Sequence, residues 1–174
     1  MQDLEILYLD EELIMFVTTG RREIACVMLR RILPSLIVFA SCAEKNQDPE
    51  GAATLWDEVH AADYPSWARA PGYEMRTPST APHGDMVDIY INDVLMEALA
   101  SGEKLTAWPE GSLIVKDGFN GSSPKLVAIM EKRDDGWYFA EYEPDGEVLF
   151  SGMPDTCTGC HSAGADMVRA FGFP

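Results

Sequence analysis

The sequence has few basic residues. Its 13 Lys and Arg stand against 29 Asp and Glu, which gives a formal net charge of -16 over 174 residues. Proteins that bind nucleic acid neutralise phosphates with clustered Lys and Arg, so this charge balance excludes such a partner. An acidic surface suits a dissolved domain, and it also suits docking to a basic redox protein.

The sequence also lacks an apolar run long enough to span a bilayer as a helix, which takes about 20 residues. The clearest apolar run, residues 32–40, follows two arginines and leads into the box Phe-Ala-Ser-Cys at residues 39–42. This order is typical of a bacterial lipoprotein signal, although such boxes usually carry Leu where Phe39 stands. We therefore expect a signal peptide over 28–41 and a lipid on Cys42. A buried N-terminal helix is the alternative.

Residues 1–27 contain six acidic residues, a composition that is wrong for the start of an export signal. We expect translation to begin near Met28 and residues 1–27 to form no domain. The polar segment 42–51 is predicted to be a flexible tether. Residues 52–174 are long enough for a single domain with its own core.

Cysteines are scarce, and two of the four lie in the segment Cys157-Thr158-Gly159-Cys160-His161. Cysteines three apart share one face of a helical turn, so both sulfurs can form thioethers with one porphyrin. The histidine that follows would be the axial ligand of the iron. The segment predicts one covalent haem c, held by Cys157 and Cys160 and ligated by His161.

Two other interpretations of the CxxC remain. A zinc site needs a second pair of ligands, and the sequence has no second CxxC and no closely spaced His pair. A redox disulfide of the thioredoxin type would lie early in the chain and would not require the histidine. A structural lipoprotein with a disulfide follows only if the haem interpretation fails.

Hydrophobic periodicity predicts an α+β domain with about five antiparallel strands and short flanking helices. An amphipathic helix is expected over 52–64, and a mostly loop region over 65–84. Asn92 and Asp93 should cap a helix over 94–100. The strands are expected at residues 86–91, 112–116, 125–132, 137–143 and 148–150.

Three stretches together resemble the cytochrome P-460 family, whose sibling is the β-sheet class of cytochrome c prime. They are Trp108 to Lys116 with its Pro-x-Gly-Ser turn, the aromatic strand Trp137 to Tyr142, and the CxxCH segment followed by Ala165 to Val168. The similarity runs from about Tyr64 to the C-terminus. It implies a largely antiparallel sheet with one haem, open or weakly ligated on its distal face, usually in a homodimer.

The resemblance also implies roles for two side chains near the haem. The family's matching lysine, here Lys116, is bonded to a porphyrin meso carbon in cytochromes P-460, whereas relatives without that bond bind nitric oxide. The enzymes carry a distal acid on the next strand, where this sequence has Ala128. Glu131, three residues further on, is the only acid of that strand and our candidate for the role.

Two functions follow from these residues. The first is a periplasmic, lipid-anchored haem protein that binds or oxidises hydroxylamine or nitric oxide and exchanges electrons with a redox partner. The second is an electron-transfer cytochrome, which needs a strong sixth ligand. The candidate donors are Met130, Met167, His60 and His83.

Overall fold

The computed structural model describes the backbone of residues 4–9 and 13–18, and residues 46–80 and 82–174. The chain divides into two units, residues 1–42 and 43–174. In the first unit, strand β1 (Leu4–Leu9) pairs antiparallel with strand β2 (Leu13–Thr18). The predicted signal peptide and the predicted lipid on Cys42 lie outside the described residues.

In the second unit, residues 46–80 and 82–174 form three helices and seven strands. The helices are α1 (Pro49–Ala61), α2 (Asp93–Ala100) and α3 (Asp155–His161), and a short 3₁₀ turn covers Tyr64–Ser66. The strands are β3 (Ala68–Arg69), β4 (Thr77–Pro78), β5 (Met86–Ile91), β6 (Leu113–Asn120), β7 (Ser123–Arg133), β8 (Gly136–Tyr142) and β9 (Val148–Gly152). Within the described residues, no helix is long and apolar enough to cross a membrane.

The seven strands form one antiparallel sheet in the order β3-β5-β6-β7-β8-β9, with β4 also paired to β5. Tight turns link β6 to β7 and β7 to β8, so neighbours in sequence are neighbours in the sheet. This architecture confirms the predicted α+β class. The two strands beyond the expected five are β3 and β4, each of two residues, in the region predicted to be mostly loop.

Alternation along the strands sends apolar side chains to both faces of the sheet. On one face, Leu55 and Val59 of α1 pack against a cluster that includes Tyr142. On the other face, Leu95 of α2 and the C-terminal segment pack against a second cluster that includes Phe139. The sheet thus has a core on each side, and the second side carries the cavity described below.

Several element boundaries differ from the prediction. Helix α1 begins at Pro49 because Asp48 caps it by accepting a hydrogen bond from the backbone N–H of Gly51. The expected tether is therefore shorter than 42–51, and Asn46 already bridges to Ser151 of β9. Strand β6 continues past Lys116, where the predicted strand over 112–116 ends, to Asn120. The capped helix after Asn92 is confirmed.

Candidate functional site

A cavity of about 50 Å³ opens on the second face of the sheet, above strands β6, β7 and β8. Most of its wall is apolar, contributed by Ile89, Ile114, Met130, Phe139 and Val168. Its polar groups come from six side chains, Lys116, Glu141, His83, Cys157, His161 and Arg169. An apolar pocket with a few converging polar groups is the usual form of a cofactor site.

Both cysteines of the CxxCH segment lie on α3, which follows β9 directly. Cys157 lines the cavity, and burial, followed by the nearby carboxylate of Glu141, raises the pKa of its thiol to about 11. Cys160 is exposed, and its sulfur accepts a hydrogen bond of 2.9 Å from the guanidinium of Arg169. The two thiols are free of any disulfide and one helical turn apart, as the attachment chemistry requires.

The imidazole of His161 is held by a backbone contact at one ring nitrogen. Its Nδ1 lies 2.9 Å from the carbonyl oxygen of Met167. A carbonyl can only accept, so Nδ1 carries the proton and Nε2 keeps a free lone pair. Burial lowers the pKa of His161, which favours the neutral ring. The ring of Phe139 stands against it edge-on, with the centroids 5.1 Å apart. His161 is thus oriented as a metal-ligating histidine is.

The loop that supplies this carbonyl has an uncommon backbone. Asp166 and Met167 have φ angles of +44° and +68°, a region that costs non-glycine residues energy. Asp166 is held by Trp108, whose backbone N–H donates to its carboxylate at 2.8 Å, and by Lys132 at 3.0 Å. The indole N–H of Trp108 donates to the carbonyl of Ala165. These contacts fix the loop beneath His161.

Lys116, Ala128 and Glu141 form one row across three neighbouring strands. Lys116 pairs with Ala128, and Ala128 pairs with Glu141. Residues that pair directly point to the same face, so the small side chain of Ala128 leaves space between the ammonium and the carboxylate. Burial raises the pKa of Glu141 and lowers that of Lys116. The cavity therefore has an acid beside the position where sequence reasoning found only alanine.

The prediction that Glu131 is a distal acid is corrected here. Glu131 pairs with Tyr138 and points to the opposite face of the sheet, where it forms an ion pair of 2.6 Å with Arg133. The acid that lines the cavity is Glu141, on the next strand. The sequence contains the information needed to place Glu141 at the cavity. The two-residue turn at 134–135 sets the register of β7 and β8, which puts Glu141 opposite Ala128.

Of the four candidate sixth ligands, two have side chains that line the cavity and two do not. His83 and Met130 line the cavity. His60 lies on α1 with Nδ1 2.7 Å from the carbonyl oxygen of Trp56, and it packs among aromatic rings on that side. Met167 contributes its carbonyl to His161. The structure therefore brings His83 and Met130 to the site, together with Lys116, Cys157 and His161.

The family model of Cytochrome P460 matches residues 61–169, which is more than half of the chain. This chain belongs to the cytochrome P460 family. The match confirms the resemblance noted from the sequence and implies a haem cofactor for this chain. A search of curated proteins finds no match.

The residues of this cytochrome fit such a group. The apolar wall suits the faces of a porphyrin, and the free Nε2 of His161 suits its iron. Cys157 and His161 face the cavity but are only partly buried, so a group attached at this turn of α3 would cover them further. Cys157 and Cys160 would hold the haem, and His161 would ligate it.

Proposed function

We propose that this cytochrome binds and oxidises small nitrogen compounds, with hydroxylamine as the candidate substrate and nitric oxide as a ligand. The haem, attached through Cys157 and Cys160 with His161 as axial ligand, would supply a coordination site and accept electrons. The side chains around the cavity would position the substrate and take up its protons.

The observation that carries the proposal is the row from Lys116 through Ala128 to Glu141. Oxidising a molecule with N–H and O–H bonds releases protons, which need an acceptor close to the reacting atoms. Glu141 is a half-buried carboxylate on the cavity wall with a raised pKa, as a general base working near neutral pH needs. Ala128 leaves room beside it, and the apolar wall excludes water.

The electrons removed from the substrate must leave the protein. A basic redox protein suits the acidic chain, whose net charge is -16. Because haem c is attached outside the bacterial cytoplasm, we also propose a periplasmic protein, anchored by a lipid on Cys42 and assembled as a homodimer. Size-exclusion chromatography with light scattering tests the dimer, and mass spectrometry of membrane fractions tests the lipid.

The first experiment is mass spectrometry of haem-bearing peptides from protein made with the haem-attachment machinery. Haem on the peptide that contains Cys157 and Cys160 supports the proposal, and its absence refutes it. A second mass, in which the Lys116 peptide is joined to the same haem, would identify the P-460 type. Haem on the cysteine peptide alone would favour gas binding.

The second experiment compares Glu141→Gln with Glu131→Gln. Both changes remove one carboxylate from the central strands, but only Glu141 faces the cavity. Hydroxylamine-dependent reduction of the haem should fall by about 10²-fold or more in Glu141→Gln, the typical contribution of a general base. It should be unchanged in Glu131→Gln. Equal rates in the two variants would contradict the role of Glu141.

The alternative function, electron transfer by a six-coordinate haem, is favoured by one observation, the position of His83 beside His161. A haem that is low-spin in every state and inert to nitric oxide would support it. Optical spectra recorded before and after addition of nitric oxide distinguish the two functions.

A further inference from the structure

His83 is the second imidazole of the cavity. The chain has three histidines, and His60 packs on the opposite side of the sheet. The side chain of His83 is only 17% exposed. Its imidazole lines the same cavity as His161.

Each ring nitrogen of His83 has one polar neighbour, and both contacts are long. Nδ1 lies 3.4 Å from Nζ of Lys116, and Nε2 lies 3.6 Å from a carboxylate oxygen of Glu141. Ordinary hydrogen bonds to nitrogen are about 2.7–3.2 Å long. Both contacts of His83 are longer than this range and therefore weak, so exchanging one of them for a bond to a metal would cost little.

The separation of the two imidazoles suits a metal between them. The ring centroids of His83 and His161 are 6.4 Å apart, with the planes at 53°. With metal–nitrogen bonds of about 2 Å, two imidazoles on opposite sides of one metal have centroids about 6 Å apart. Rotation of either ring about the bond leaves this distance unchanged, so the angle between the planes does not oppose it.

The backbone around His83 is held firmly against strand β6. A Cβ on Gly118 would overlap the carbonyl oxygen of His83, so this close approach requires glycine at position 118. The backbone N–H of Asp85 donates to the carbonyl of Phe119 at 2.8 Å. On the other side, the ammonium of Lys125 donates to the carbonyl of Pro82. The imidazole is therefore placed by the fold rather than by an unsupported loop.

We propose that His83 is the sixth axial ligand of the haem in the resting cytochrome, and that incoming nitrogen compounds displace it. This inference rests on the proposed function, because it requires the haem attached at Cys157 and Cys160. It adds a regulatory element, since the substrate must compete with an internal ligand. If His83 occupies the iron in about 90% of molecules, the apparent affinity for an external ligand falls about tenfold.

Spectroscopy of the holoprotein tests the proposal. Wild-type ferric protein should be low-spin, with the electron paramagnetic resonance signature of two imidazole ligands. His83→Gly should become high-spin, and added imidazole should restore the low-spin spectrum. His60→Gly is the matched control and should keep the wild-type spectrum. A high-spin wild-type protein would overturn the proposal. This measurement needs no variant, so a variant that fails to fold does not weaken the test.

Two further results separate the failure of this inference from failure of the proposed function. A low-spin spectrum that persists in His83→Gly but disappears in Met130→Leu would assign the ligand to Met130 and overturn the role of His83. Nitric oxide should bind His83→Gly about tenfold more tightly than wild type. The expected change of spin state in His83→Gly could also occur in a protein that reacts with neither hydroxylamine nor nitric oxide. That result would refute the proposed function and leave His83 as the ligand.

Discussion

Asp166 accepts a hydrogen bond from the backbone N–H of Trp108, with 2.8 Å between the two heavy atoms. These residues are 58 positions apart, and they join the turn before β6 to the loop that follows α3. The same loop presents the carbonyl of Met167 to His161. The orientation of His161 therefore depends on a contact outside the cavity.

Replacing Asp166 with alanine should destabilise this loop. The N–H of Trp108 would lose its partner in a residue that is only 2% exposed, which costs about 1–3 kcal/mol. Urea unfolding of the holoprotein measures this loss, and the haem midpoint potential should shift because His161 loses its fixed partner. Asp135→Ala, at an exposed turn position, should change neither quantity. If Asp166→Ala changed neither the unfolding free energy nor the midpoint potential, the loop would keep its conformation without this side chain.

Protonation of the Asp88 carboxylate should make the protein less stable in acid. Burial alone raises the pKa of this carboxyl, but hydrogen bonds from Arg69 and Arg76 outweigh burial and leave it lowered. The unfolded chain then binds a proton before the folded one does, so stability is full above about pH 5 and falls as the pH drops below about 4. Unfolding free energies at pH 7, 5, 4 and 3 test this expectation.

The control for the acid experiment is a pair of variants. Asp88→Asn should be less stable at pH 7 and should lose part of the dependence on pH, because its side chain cannot titrate. Asp57→Asn changes an exposed carboxylate and should follow wild type. If Asp88→Asn shows the full wild-type dependence, the loss of stability in acid comes from other groups.

Gly118 and Gly159 should respond in opposite directions to alanine. At Gly118 the added Cβ meets the carbonyl oxygen of His83, so we expect a loss of about 1–3 kcal/mol from overpacking. At Gly159, inside α3, no atom lies within 4 Å of the added Cβ, and alanine should gain about 0.5–1 kcal/mol through helix propensity. Thermal unfolding of the two variants measures both effects. A stabilised Gly118→Ala would mean that the loop at His83 moves freely.

Ala128 should control access to the carboxylate. In Ala128→Leu the larger side chain fills the space between Lys116 and Glu141, and an overpacking cost of about 1–3 kcal/mol corresponds to about 5-fold to 150-fold weaker binding of nitric oxide or hydroxylamine. Ala128→Ser, which is close in size, should bind normally. Titrations at matched haem content measure the affinities. Unchanged affinity in Ala128→Leu would place the ligand elsewhere in the cavity.

Much of the sheet could be predicted because its signals are local. The alternation in β5, β7 and β8 and the cap at Asn92 were sufficient for these elements. Strands β3 and β4 could not be predicted, since each has two residues and β4 contains a proline. Salt bridges bring Arg69 and Arg76, which lie in or beside these strands, to Asp88 on β5. Those contacts are distant in sequence and have no local pattern.

The candidate site was predictable only in part. The CxxCH spacing indicated Cys157, Cys160 and His161, and the resemblance indicated Lys116. Glu141 could not be identified from the pattern of β7 alone, because the cavity wall is built by pairing between β7 and β8. The closeness of His83 to His161 could not be foreseen, because it depends on a loop that packs on Gly118.

The pairing of Ala128 with Glu141 gives the surface turn at residues 134–135 an influence on chemistry. Side chains alternate between the faces of a strand, so one residue inserted into or deleted from this turn would send Glu141 to the side of α1 and bring Ala140 or Tyr142 to the cavity. Such a change would leave the identity of every residue that lines the cavity unaltered. In this fold, the length of the β7–β8 hairpin loop determines whether the cavity is lined by a carboxylate or by a neutral side chain at this position.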